Sequence, residues 1–142
     1  AEQIGAAVAA GYLGLLTPER VLGELCLALE EPRPDAALRA ADGWGLTGQI
    51  LPGLAWTAGL AARSERLAEG AGPAASTAVW AGNLLYDLPA SQLDAVGRRY
   101  PLPAEIAVLL RQLPRLQELA PLLAGPLANS QLERLLRPLA PE

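Results

Sequence analysis

Residues 17–30 read TPERVLGELCLALE. Thr17 can accept hydrogen bonds from the free amides that open a helix. Pro18 has the fixed φ that suits the first helical position, and Glu19 sets a negative charge against the positive end of the helix dipole. Val21, Leu22, Leu25 and Leu29 then recur at helical spacing and share one face. The stretch predicts a capped amphipathic helix from Pro18 to about Glu30, with Gly23 as its weak point. Cys26 falls beside the apolar face and reads as a small buried group rather than a reactive thiol.

The same periodicity extends in both directions. Upstream, Ile4, Val8 and Tyr12 predict a helix over about residues 2–13, with Gly14 near its end. Downstream, EPRPD breaks the chain, and a short helix is expected from Asp35 to Asp42 with Ala37, Leu38 and Ala41 inward. GWGLTGQILPG (residues 43–53) reads as a compact turn, a short helical segment carrying Leu46, Ile50 and Leu51, and a stop at Pro52. Trp56, Leu60 and Leu67 predict a longer helix from Leu54 to about Glu69. GAGPA, residues 70–74, is the best internal boundary, and so short a connection joins packed helices. Trp80, Leu84, Leu85 and Leu88 form the next stripe, ending at Pro89. Ser91 and Asp94 suggest a shortened cap for SQLDAVGRR. Pro103 opens a helix carrying Ile106, Leu109, Leu110 and Leu113, and a separate segment is expected after Pro114. Ser130 and Glu133 have capping-box spacing ahead of Leu132, Leu135, Leu136 and Leu139.

Composition agrees with this pattern. Leu and Ala dominate the 142 residues, β-branched residues are few, and 51% of the chain is hydrophobic against 18% charged. The expected fold is all-α, a multi-helix array with short connections and no β-sheet. No apolar run reaches the roughly 20 residues of a membrane span, and the first residues lack the basic start of a signal peptide. These features predict a cytoplasmic protein without a membrane partner. With no His and a single Cys, histidine bases, His- or Cys-based zinc sites and internal disulfides are excluded. The acids form no convincing metal-binding set, so no cofactor is expected in this chain.

All eleven basic residues are Arg. Residues 1–97 carry a net charge of −6 and residues 98–142 a net charge of +2, from six Arg and four acids. Arg98, Arg99, Arg111 and Arg115, with Arg134 and Arg137 beyond them, are candidates for phosphate contacts through the forked guanidinium. Taken alone, the cluster is better explained by ordinary solvation and surface salt bridging. Trp44, Trp56 and Trp80 read as core or interhelical contacts rather than stacking platforms for bases.

Residues 17–55, TPERVLGELCLALEEPRPDAALRAADGWGLTGQILPGLA, resemble the neck and early body of bacterial tRNA nucleotidyltransferases and poly(A) polymerases. Thr17, Glu19, Arg20, Val21, Glu24 and Leu25 match the family's "S-x-E-R-I-x-x-E-L" phrase. Pro34 and Asp35 sit at its "SPDP"-like break. Ala37, Leu38, Gly45 and Leu46 match the next helix and turn, and Ile50, Leu51, Pro52 and Leu54 match its "L-L-P-E-L". Gly43, Trp44 and Gly48 depart from the pattern. Residues 1–16 look like the preceding neck helix, and two later stretches look more weakly like body and tail.

The resemblance implies neck and early body helices over 1–69 and later body and tail helices over 75–142. It implies a supporting role beneath the neck for Thr17, Glu19, Arg20 and Glu24. An Arg20–Glu24 interaction at i,i+4 would add only about 0.2–0.5 kcal/mol. The family's catalytic head carries a Gly-rich loop and a D-x-D metal pair, and neither is present here. No catalytic residue is therefore assigned, and no activity is expected of this chain alone. The resemblance implies a missing N-terminal head that would use Mg2+ with CTP or ATP, and tRNA or another RNA as partner. A free-standing RNA- or protein-binding adaptor and a homo-oligomeric structural module are the alternatives.

Overall fold

A computed structural model describes residues 2–70, 75–126 and 128–137. Among them the chain is all-α, with no strand. Its helices are α1 (Glu2–Ala9), α2 (Pro18–Glu30), α3 (Pro34–Gly43), α4 (Thr47–Ile50), α5 (Ala58–Gly70), α6 (Thr77–Leu85), α7 (Ala90–Arg99), α8 (Ala104–Leu123) and α9 (Asn129–Leu136). A 3-10 turn, Tyr12–Leu15, links α1 to α2.

α2 matches its expected bounds. The Arg20 amide donates to Thr17 Oγ1 at 3.4 Å, and Val21, Leu22 and Leu29 are buried. Cys26 is half-buried against the core, and burial pushes its thiol pKa up, which disfavours the reactive thiolate.

The centre of the molecule is α6. Trp80, Ala81, Gly82, Leu84 and Leu85 are all buried, so a broad face of this helix is enclosed while Val79 stays exposed. It packs against α2, α5 and α8, while α3 packs on α2, α4 and α5, and α7 on α8. One apolar cluster runs from Val21 and Leu22 through Leu38, Leu60 and Trp80 to Leu110 and Leu113. That core joins helices from both sides of the 70–74 boundary, of which residues 71–74 lie outside the described residues.

The GWG turn has a specific purpose. The Leu46 amide donates to Ala41 O at 2.9 Å and the Gly45 amide to Asp42 O at 2.8 Å. This is a Schellman stop, which needs a left-handed residue, and Gly45 supplies it with φ of 73°. Leu51 and Leu54 then enter the core, and the Tyr100 hydroxyl donates to Ile50 O at 2.6 Å, tying the end of α7 to α4.

Five expectations need correction. The first helix ends at Ala9 because Gly11 turns left-handed, with φ of 78°. Of its expected apolar side only Val8 is buried, while Ile4 and Tyr12 are exposed. α5 begins at Ala58 rather than Leu54, because Thr57 Oγ1 caps it by accepting from the Leu60 amide at 3.1 Å; Trp56 precedes the helix. α7 starts at Ala90 with Pro89 at the N-cap, so Ser91 and Asp94 cap nothing. α9 starts at Asn129, and Gln131 Oε1 accepts from the Ala128 amide at 3.0 Å, so the Ser130–Glu133 box does not form. The side chains of Leu132, Leu135 and Leu136, and all of Leu139, lie outside the described residues.

The fifth concerns Pro114, which does not end a helix: α8 runs through both Pro114 and Pro121. An interior proline costs about 3 kcal/mol, since it removes one hydrogen bond and crowds the preceding turn. Ile106, Leu110, Leu113 and Leu119 are buried along α8, and burying side chains of this kind contributes about 1.5–3 kcal/mol each. Tertiary burial wins over local propensity.

Asp35 is only 2% exposed, at the first turn of α3. Arg33 donates to it twice, from Nε at 2.9 Å and Nη2 at 2.8 Å. These bonds pull the Asp35 carboxyl pKa below its ordinary value, against the opposing effect of burial. Its contribution to stability is therefore present above the unfolded-state carboxyl value, near 3.9, and is lost as pH falls through the lower folded value. Melting temperatures measured from neutral pH into the acid range should show this loss in the wild type. Asp35→Asn should lower stability at pH 7 and remove that part of the acid slope. An unchanged slope would show that Asp35 does not contribute to it.

Candidate nucleic-acid interface

Four of the arginine candidates lie on α7 and α8, while Arg134 lies on α9 and Arg137 at its end. Arg98 and Arg99 occupy the last turn of α7, where positive charge also complements the helix dipole. Arg111 and Arg115 are four residues apart on the exposed side of α8, away from the buried Ile106, Leu110 and Leu113. α7 packs against α8, and a side chain at Gly97 would approach Leu110 to 3.1 Å. Both arginine pairs thus stand on one packed helical unit.

Their surroundings differ. Arg115 pairs with Glu118 at 2.8 Å on the same helix. The Arg99 guanidinium lies over the Tyr100 ring, 5.3 Å from its centroid. Burial pushes the Tyr100 phenol pKa up, with Arg99 acting in the opposite direction. Arg98 and Arg111 are exposed and make no ion pair, hydrogen bond or ring contact among the described residues. Their guanidiniums are thus the least engaged of the four. Of the aromatic residues nearest in sequence, Tyr100 is buried with its hydroxyl bonded, Tyr86 is half-buried with the Arg63 guanidinium over its ring, and Trp80 is buried in the core. Trp44 and Trp56 are half-buried.

The remaining candidates lie at the start of and along α2. Thr17 caps α2, and Glu19, Arg20 and Glu24 are exposed. Arg20 and Glu24 form no ion pair among the described residues. Of the apolar positions of the phrase, Val21 is buried in the core and Leu25 is half-buried against it.

Sequence reading missed a polar network between α5 and α6. Arg63 donates from Nη2 to Asp87 Oδ2 at 2.7 Å and from Nε to Asn83 Oδ1 at 3.3 Å, and it lies over Tyr86, 5.0 Å from the ring centroid. Asn83 donates onward to the fully buried Ser64 Oγ at 2.9 Å. Gln117 on α8 donates to the carbonyls of Tyr86 and Leu88, the latter at 3.0 Å. No spacing rule links residues 19–31 positions apart, so only the paired helices reveal these bonds.

Among the described residues, no three carboxylate or thiol groups gather to hold a metal ion. No helix there is long and apolar enough to cross a membrane. Comparison with family models, curated proteins and solved structures found no match to this chain.

Proposed function

We propose that this chain is the non-catalytic helical part of a tRNA nucleotidyltransferase- or poly(A) polymerase-like protein, holding the neck geometry and gripping the RNA whose 3′ end a separate head extends. The observation that carries this reading is the α7–α8 unit, where the exposed Arg98 and Arg111 have no acidic partner among the described residues. Guanidiniums placed this way suit phosphate oxygens, and with no aromatic residue on α7 or α8 themselves they suit the backbone rather than the bases. The ordered motif resemblance over residues 17–55 supplies the identity of the proposed parent.

An exposed apolar surface along α1 and the segment after it is a second support. Ile4, Tyr12 and Leu16 are exposed and line one groove with Leu13 and Leu46, and Leu15 in the same segment is 78% exposed. A contiguous apolar face of this kind is what a neighbouring domain covers, and in this reading that domain is the head. Gripping the RNA raises its effective concentration and orients its end without any chemistry in this chain.

Equilibrium binding of purified residues 1–142 to labelled tRNA, across a series of salt concentrations, tests the proposal. The wild type should bind with an affinity that falls as salt rises. Replacing both Arg98 and Arg111 by Ala should weaken binding about ten-fold at fixed salt and reduce the slope of log affinity against log salt by about 1.5–2, since each lost phosphate contact removes about 0.7–0.9. Arg20→Ala, on α2, should change neither. No binding at low salt, or an unchanged slope in the double variant, would overturn the proposed grip.

A further inference from the structure

We draw no further inference here: the strongest candidate, the apolar groove between α5, α6 and α8 lined by Leu67, Val79, Leu113 and Leu116 with Arg66 on its rim, is an unpartnered face, and nothing in the structure shows what covers it.

Discussion

Trp80→Ala should lower the free energy of unfolding by about 3–5 kcal/mol, the range for removing a buried aromatic side chain. Trp80 is 1% exposed and sits on α6, the helix against which α2, α5 and α8 all pack. Removing its ring takes away apolar burial and leaves a cavity that three neighbouring helices cannot all close at once. A single domain has only about 5–15 kcal/mol of net stability, so the variant should be near the edge of folding at room temperature. Urea denaturation followed by far-ultraviolet circular dichroism measures the change. Trp80→Phe, which keeps an aromatic ring, should lose less than half as much. A loss under about 1 kcal/mol for Trp80→Ala would remove α6 from the centre of the core.

Gln117→Leu should cost about 2 kcal/mol, although leucine is apolar, close in size and a good helix former. The Gln117 amide reaches from α8 to the carbonyls of Tyr86 and Leu88, where α6 has ended and the chain turns toward α7. The last carbonyls of a helix lack partners within it. Leucine fills the space but donates nothing, leaving partly buried acceptors unsatisfied. The same denaturation experiment reads the loss. Gln117→Glu, which abolishes the amide donor and brings a negative charge toward the carbonyls, should be at least as unfavourable at neutral pH. If Gln117→Leu is neutral, solvent already satisfies those carbonyls and the side chain does not lock α8 to the end of α6.

The two variants separate kinds of information. Trp80 stood out in the sequence because Leu84, Leu85 and Leu88 follow it at helical spacing, so its burial followed from periodicity. Gln117 carried no such signal: a polar residue within a helical stripe looks like any solvent-facing position. Its importance comes from α8 passing beside the end of α6. The candidate site divides in the same way. The sequence located the net positive charge in residues 98–142, but the partners of Arg99 and Arg115, and the lack of them at Arg98 and Arg111 among the described residues, depend on side-chain placement.

What the sequence by itself determined is local. Thr17 and Pro18 start α2, the left-handed Gly45 stops α3, and the three- and four-residue spacing of Leu and Ala makes the described residues all-α. These outcomes depend on backbone sterics and on groups within one or two turns of each other. Tertiary structure decided the rest. It carried α8 through Pro114, because burial along the whole helix outweighs one lost hydrogen bond, and it left Ile4 and Tyr12 exposed where an apolar stripe suggested burial. It also assembled Arg63, Asn83, Asp87 and Ser64 into one network. Such choices belong to packing, where the energy depends on which surfaces meet and not on which residues are neighbours in the chain.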